Sequence, residues 1–362
     1  MIIKKVELKH LRIPLKKTFK TALRTVSVSD NMVVLIHTDD GRIGYGEAPP
    51  TKAITGDTNE STIAAIEGNI ADRIMGYCID DIDRILTDIN VATANDTSAK
   101  AAIDMAIYDL YSQNRNLPLY KVLGGTNNRV ETDMTISINN IEEMKKDALD
   151  ALNDGFTTLK LKVGGKIEDD KKRIAAIRDL VGPQIKIRLD ANQGWEVDDA
   201  IALIKYIEDK DLDIELVEQP VKANDLEGMK KVTNSVQTQI MADESLFSLE
   251  DAEKIIQMGA ANSLNIKLMK SGGIYNALKI ISIAEIHGVE CMIGSMVESK
   301  IGLTAAAHLA ASKKNITKVD LDAAIMMAED PIVGGFEKDI PFFTLPDKPG
   351  LGIERVIGLE QI

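Results

Sequence analysis

Charged side chains recur at nearly constant intervals through the middle of the chain, each at the end of an apolar run. They are Lys162 after TTLKL, Asp190 after IKIRL, Glu218 after DIELV, Asp243 after QIMA and Lys267 after SLNI. The steps of 28, 28, 25 and 24 residues match one strand, one helix and two short loops. Three carboxylates with a lysine on either side could hold a divalent cation between two bases.

The three carboxylates are hard oxygen ligands. Such a set suits Mg²⁺, which prefers carboxylates and water, better than zinc, which favours His or Cys. The alternative for each acid is a cap on the helix that follows its strand, a common use of Asp at such a turn. Three acids on successive strands, in the contexts LDAN, VEQP and MADES, favour the metal site.

Two lysines lie two residues apart in the same run. Lys160 and Lys162 therefore point to the same side of their strand, and we expect that side to face inward, with Leu159 and Leu161 packed under helices. A free lysine has a pKa of about 10.4, so a lysine base needs neighbours that disfavour its charged form. A second ammonium and a nearby cation both do so, which favours Lys162 as a base.

A third lysine ends the sixth predicted strand. Lys267 would lie across a barrel from Lys162, so that one base would stand on each face of a carbon held between them. The alternative is a solvated loop lysine, as we expect for Lys270 just after it. The pairing with Lys162 favours the base.

These charges need elements that bring them to one edge, and the apolar pattern predicts eight strands alternating with helices. The strands lie near 131–137, 157–163, 185–190, 213–218, 239–243, 262–267, 289–294 and 317–322. Eight such strands favour an α/β barrel, with an open doubly wound sheet as the alternative. In a barrel the carboxyl ends of the strands meet at one mouth, where barrel enzymes keep their active sites.

The flanking regions predict a second, smaller part. Residues 1–125 read as an α+β domain, because Asp40-Gly41 between two alternating runs indicates a hairpin and a helix follows from Ser98. The barrel would occupy 126–325. Residues 326–362, rich in Gly and Pro, would form a tail that packs back on the first domain, since a closed barrel offers it no edge.

Composition limits the class of function. The chain has 362 residues, 44% hydrophobic and 27% charged, with a net charge of -13, which argues against nucleic acid or an anionic membrane as a partner. Neither a membrane span nor a signal peptide is predicted, so a cytoplasmic location is expected. Two distant cysteines, Cys78 and Cys291, predict neither a disulfide nor a zinc site.

The runs TLKLKVG, LDANQGW, VEQP, ADES, NIKLMKSGG and GSMVES resemble the muconate-lactonizing subgroup of the enolase superfamily, and the similarity extends to AKAAIDMAIYDL and LPLYKVLGG. The resemblance implies a modified (β/α)7β barrel under an α+β capping domain. It also implies a Mg²⁺ ion that stabilises the enediolate formed when a lysine removes the proton α to a carboxylate. By this resemblance the three acids are the ligands, Lys162 and Lys267 are the bases, and Lys160 tunes Lys162.

One feature separates the members of that subgroup. Asp320 and Asp322, in KVDLDAA, share a face by the two-residue period and would present paired negative charge to a substrate ammonium group. The Asp-x-Asp pattern resembles that of dipeptide epimerases, whose substrates have this group. A helix cap with a surface acid is the alternative. Within the same subgroup N-acyl (N-succinyl) amino acid racemases, o-succinylbenzoate synthases and cycloisomerases remain alternatives.

The substrate side chain is less defined by the sequence. Two capping-domain loops contain Phe19, Arg24 and Ile54, and the resemblance places these loops over the barrel mouth. Arg24 resembles the arginine that pairs with glutamate in L-Ala-D/L-Glu epimerases, with a surface arginine as the alternative, while Phe19 and Ile54 would equally suit a hydrophobic dipeptide. Thr135 and Glu298 are further candidate substrate contacts.

We therefore expect a Mg²⁺-dependent isomerase that inverts the α-carbon of the C-terminal residue of an L,L-dipeptide by two-base proton transfer. A homo-oligomer is expected as the assembly. A barrel without catalytic activity, used for binding, is the alternative from another class.

Overall fold

The computed structural model describes residues 1–362, and the chain begins with a three-stranded antiparallel sheet followed by helices. The strands are β1 (Ile3–Lys20), β2 (Thr25–Thr38) and β3 (Ile43–Ala48), and the helices are α1 (Asn59–Ala65), α2 (Ala71–Ile74), α3 (Ile82–Ala92), α4 (Thr97–Asn114) and α5 (Leu119–Val122), with a π-helical turn (Ile66–Ile70) between α1 and α2. The predicted hairpin is confirmed by the antiparallel pairing of β2 with β3. Gly41 provides the positive φ of +83° in its turn.

Helix α4 lies directly on this sheet. A Cβ at Gly46 of β3 would lie 1.8 Å from the carbonyl oxygen of Ala102, so only glycine allows this approach. The helix is buried on almost every side, because the sheet covers one face and the rest of the chain covers the other. The capping sheet is thereby fixed to the elements that follow.

The second part is an eight-stranded parallel barrel. Its strands are β5 (Met134–Ile136), β6 (Thr158–Lys162), β7 (Lys186–Asp190), β8 (Ile214–Glu218), β9 (Gln239–Ala242), β10 (Ser263–Ile266), β11 (Glu290–Gly294) and β12 (Ile316–Asp320), preceded by β4 (Arg129–Glu131). Its helices are α6 (Ile141–Asp154), α7 (Ile167–Val181), α8 (Val197–Asp209), α9 (Leu226–Ser235), α10 (Leu249–Met258), α11 (Leu268–Ser271), α12 (Ile274–Ile286), α13 (Lys300–Ala310) and α14 (Ala323–Met326).

The barrel strands follow one another in sequence order from β5 to β12. Asp133 N, directly before β5, donates a hydrogen bond to Val319 O of β12 at 3.3 Å, which nearly closes the barrel. Because no full helix follows β12 before the tail, the topology is (β/α)7β, as predicted, and the open doubly wound alternative is wrong.

The first predicted strand, 131–137, is wrong as a single element. The structure divides it into β4 and β5, which belong to different sheets. The reason is local: Thr132 Oγ1 accepts a hydrogen bond from Leu321 N at 2.9 Å, and Asp133 binds Arg188 at 2.8 Å inside the barrel. These tertiary contacts turn the backbone between the two strands.

The C-terminal tail contacts both parts of the chain. Its strands are β13 (Ile332–Gly334), β14 (Glu337–Asp339), β15 (Phe342–Thr344) and β16 (Ile353–Val356). Strand β15 pairs with β4, whereas isolated bridges join Pro118 to Gly350 and His10 to Glu360. No helix of the structure has the length and apolar character needed to span a membrane.

Candidate active site

Three acids from adjacent strands converge at the carboxyl end of the barrel. Asp190 and Glu218 end β7 and β8 and are register partners, and Asp243 directly follows β9. All three are buried. One carboxylate oxygen from each lies within 4.8 Å of the others, a spacing compatible with octahedral coordination by oxygen ligands.

The donor set fits a divalent cation. Glu218 Oε2 is buried and accepts no hydrogen bond. The Lys160 ammonium lies 2.7 Å away, but its orientation does not suit a hydrogen bond. Burial, followed by the charge of Asp190, raises the pKa of Glu218 to about 8. A hard cation would compensate this crowded negative charge, and three carboxylates leave coordination positions for water and a substrate oxygen.

Two lysines stand on opposite sides of these acids. Lys162 Nζ donates to Asp190 at 2.5 Å, and Lys267 Nζ donates to Asp243 at 2.7 Å. Since β6 and β10 are four strands apart in an eight-stranded barrel, their ends face each other across the mouth. Burial would lower the pKa of Lys267, but the charge of Asp243 raises it above its usual range.

Lys160 lies one layer deeper than Lys162. It is fully buried, with Nζ 2.7 Å from both Glu218 and Asp320. Burial would lower its pKa, but Asp320, Glu218 and Asp190 together raise it well above the usual range. Its charge is thus balanced by acids. As predicted, Leu159 and Leu161 belong to the hydrophobic core.

The Asp-x-Asp pair lines the same mouth. Asp320 ends β12 and Asp322 precedes α14, and together with Thr135 both line a cavity at the barrel mouth, here called the catalytic cavity. Asp322 Oδ2 accepts a hydrogen bond from Thr135 N at 2.6 Å, so strand β5 fixes its orientation. Burial, and then the neighbouring charge of Asp320, raise the pKa of Asp322 to about 7.

The capping-domain candidates close the mouth from above. Phe19, Arg24 and Ile54 all line the cavity, and the Phe19 ring lies 5.9 Å from Lys162 Nζ. The guanidinium of Arg24 has no acidic partner and donates only to Thr51 Oγ1, at 3.2 Å. Burial lowers the pKa of Arg24 to about 10.

Glu298 lies outside the group that surrounds this cavity. It is buried, and its Oε1 accepts a hydrogen bond from Met296 N at 2.9 Å. Burial, and then the nearby charge of Glu47, raise the pKa of Glu298 to about 8. The structure thus places it between the capping sheet and helix α13, where it contacts protein groups.

The catalytic cavity itself has a volume of about 60 Å³. Leu23, in the turn between β1 and β2, also lines this cavity and is 39% exposed.

Sequence reasoning missed several residues of the site. Lys270, expected to be solvated, is fully buried, and its Nζ donates to Asp243 Oδ1 at 2.5 Å and to Asn265 O at 3.1 Å. Asn192 and Ser295 line the cavity. Asn192 ends the run LDAN, two residues after a predicted strand, and Ser295 in GSMVES directly follows another. Their positions after strands were the available signal.

Known proteins of similar sequence cover nearly the whole chain. An L-Ala-D/L-Glu epimerase from Clostridium acetobutylicum is 50% identical over 98% of this chain and 99% of its own length. A hydrophobic dipeptide epimerase from Enterococcus faecalis is 47% identical over 98% of this chain and 100% of its own.

Solved structures agree with this similarity. A substrate-liganded complex of the L-Ala-D/L-Glu epimerase from Bacillus subtilis superposes with a TM-score of 0.97 at 49% identity, covering 99% of both chains. The Enterococcus faecalis dipeptide epimerase complexed with Mg and L-Leu-L-Tyr gives 0.95 at 47% identity, covering 98% of this chain and 100% of that one.

Two family descriptions match the two parts of the chain. Residues 4–124 match the mandelate racemase/muconate lactonizing enzyme N-terminal domain, and residues 143–355 match the enolase C-terminal domain-like family. The predicted resemblance is therefore confirmed: the chain belongs to the mandelate racemase/muconate lactonizing enzyme family of the enolase superfamily.

Proposed function

We propose that this protein is a Mg²⁺-dependent dipeptide epimerase that inverts the α-carbon of the C-terminal residue of an L,L-dipeptide. The observation that carries the proposal is the pair Lys162 and Lys267, which face each other across a cluster of three buried carboxylates. A binding protein would have no need for two opposed bases over a cation site. The names of the relatives with 47–50% identity support the same reaction class.

The reaction is a proton transfer across one carbon. One lysine, as the neutral amine, takes the proton from the α-carbon, and the C–H electron pair passes into the adjacent carboxylate to give an enediolate. The opposite lysine, as the ammonium, then donates a proton to the other face. Asp190, Glu218 and Asp243 would hold Mg²⁺, which supplies positive charge to stabilise the enediolate. Lys160, whose Nζ lies 3.1 Å from Asp190 and 2.7 Å from Glu218, partly balances the negative charge of the carboxylates from below.

The two ends of the substrate would be recognised by opposite charges. Asp320 and Asp322 supply negative charge for the free ammonium group, which an N-acylated amino acid lacks. Arg24, whose guanidinium has no acidic partner in the protein, supplies a positive group for an acidic C-terminal side chain. L-Ala-L-Glu is thus the substrate that the charges favour.

Two other substrate classes have specific support. Phe19 and Ile54 line the cavity beside Arg24, which favours hydrophobic dipeptides as the second candidate. An N-succinyl-L-Arg/Lys racemase from Bacillus cereus is 37% identical over 98% of this chain, so an N-acylated amino acid is the third. The aspartate pair argues against it.

Proton exchange in D₂O tests the proposal directly. The protein is incubated with Mg²⁺ and, separately, with L-Ala-L-Glu, L-Leu-L-Tyr and N-succinyl-L-arginine, and deuterium at the α-carbon is measured by mass spectrometry. We expect rapid incorporation into L-Ala-L-Glu, together with formation of the L,D-epimer. Incorporation into the N-succinyl compound alone would refute dipeptide epimerisation, and incorporation into none would refute the enzyme assignment.

The aspartate pair provides the matched control. Asp322→Asn removes charge while keeping shape, and a hydrogen bond to a charged group contributes about 1.5–3 kcal/mol. We therefore expect kcat/KM for L-Ala-L-Glu to fall by about tenfold or more. N-acetyl-L-Ala-L-Glu, a poor substrate without that charge, should lose much less.

A further inference from the structure

A second cavity of about 410 Å³ lies beside the catalytic one, between strand β1 and helix α6. This volume falls within the usual range of ligand pockets, about 300–1,000 Å³. Three residues belong to the walls of both cavities, namely Phe19, Thr135 and Met326. These three side chains are here called the partition.

The partition stands next to the aspartate pair. Met326 ends helix α14, and its backbone N donates to Asp322 O at 3.3 Å, so it lies one helical turn beyond that residue. Side chains four positions apart share a helix face. From strand β5, Thr135 N donates a hydrogen bond to the Asp322 carboxylate. Both residues therefore adjoin the position proposed for the substrate ammonium.

In a dipeptide, the ammonium group and the N-terminal side chain are attached to the same carbon. A side chain on that carbon would meet the partition before any other wall on this side of the cavity. The space beyond is bounded by the apolar Met134, Ile136 and Ile325 and by polar and charged side chains of β1 and α6, among them Lys17, Asp147 and Asp150. It could hold a long side chain.

We infer that the partition limits the size of the N-terminal residue of the substrate, and that Met326 is the residue that sets the limit. The inference rests on the proposed function. With the partition in place, a small N-terminal side chain such as that of alanine would be favoured over a long one. Methionine is unbranched and flexible and fills irregular gaps, so its truncation opens the passage without changing the backbone of α14.

The test compares two methionine truncations. Met296 lines the catalytic cavity but not the second one, so Met296→Ala is a matched control for Met326→Ala. The ratio of kcat/KM for L-Leu-L-Glu to that for L-Ala-L-Glu is measured in both variants and the parent. A methylene in a pocket changes selectivity by about 10–200-fold, so we expect Met326→Ala to raise the ratio at least about tenfold, and Met296→Ala to leave it within about threefold.

Three results would overturn the inference: an unchanged ratio in a folded Met326→Ala variant, an equal rise in Met296→Ala, or a parent that already prefers L-Leu-L-Glu. If Met326→Ala does not fold, as judged by circular dichroism, Phe19→Ala opens the partition from the capping side and must raise the ratio in its place. A parent that exchanges no dipeptide α-proton would refute the proposed function itself, which is a separate outcome.

Discussion

Replacing Arg24 by methionine should stabilise the protein and at the same time remove its preference for an acidic dipeptide. Burial lowers the pKa of this arginine from 12.5 to about 10. Since one pKa unit corresponds to 1.36 kcal/mol, the charged guanidinium is disfavoured by roughly 3 kcal/mol, less what solvent screens at a half-buried site. We expect the free energy of unfolding to rise by about 1–2 kcal/mol, because methionine has no charge to desolvate.

The same substitution should weaken catalysis selectively. A carboxylate on Arg24 would make two charge-assisted hydrogen bonds, each contributing about 1.5–3 kcal/mol, so kcat/KM for L-Ala-L-Glu should fall by about 100-fold or more. The value for L-Ala-L-Leu should stay unchanged or rise. Arg12→Met is the control, because Arg12 is exposed on strand β1, which precedes the turn that contains Arg24, and lies 3.7 Å from Asp30. Equal losses for both dipeptides, or a destabilised Arg24→Met variant, would refute the reasoning.

Four further substitutions probe the bases and the buried charges. Lys267→Ala should stop epimerisation in both directions while still allowing exchange of the α-proton that faces Lys162. Lys162→Ala should instead allow exchange only of the α-proton that faces Lys267. Exchange of the same epimer in both variants would contradict the two-base arrangement. Lys270→Met should lower the free energy of unfolding in urea by about 1–3 kcal/mol, because Asp243 Oδ1 loses its donor while Asp243 Oδ2 keeps Lys267. Added Mg²⁺ should then stabilise this variant more than the parent, and an equal effect on both would contradict that. His308 is buried, and burial lowers its pKa to about 3. Below about pH 6.5 the folded state therefore binds fewer protons than the unfolded state, and the protein loses stability as the pH falls. The loss at pH 4.5 should be roughly 2.7 kcal/mol, and His308→Gln, unlike a control change at the exposed His287, should reduce it.

The barrel could be predicted because each of its strands has a recognisable pattern in the sequence. A parallel strand covered on both faces is a short apolar run, and the charge that ends it must lie at the mouth. Seven of the eight runs appear as single strands, with ends within a few residues of those predicted. The exception is the first, where the side-chain contacts of Thr132 and Asp133 divide the run. Such contacts come from residues more than 50 positions away and leave no local pattern.

The site was harder to predict where burial depends on the whole fold. Lys270 follows Lys267 by three residues in a polar-looking loop, yet the short helix α11 turns it inward onto Asp243. Glu298 lies in a loop at the mouth, but the capping sheet covers it. Periodicity reports which side of an element a residue occupies. It does not report what a distant segment places over that side.

Removing the metal should abolish turnover and leave the fold intact, because the protein balances the acidic cluster with its own cations. Four lysines form ion pairs with four of the acids at the mouth: Lys160 with Asp190, Glu218 and Asp320, Lys162 with Asp190, and Lys267 and Lys270 with Asp243. A buried carboxylate without such a partner would oppose folding strongly. Excess EDTA should therefore leave the circular dichroism spectrum and the cooperative unfolding transition in place while α-proton exchange stops. Full exchange after confirmed removal of the metal would show that the ammonium groups alone stabilise the enediolate, and unfolding on chelation would show that these ion pairs do not compensate the acids.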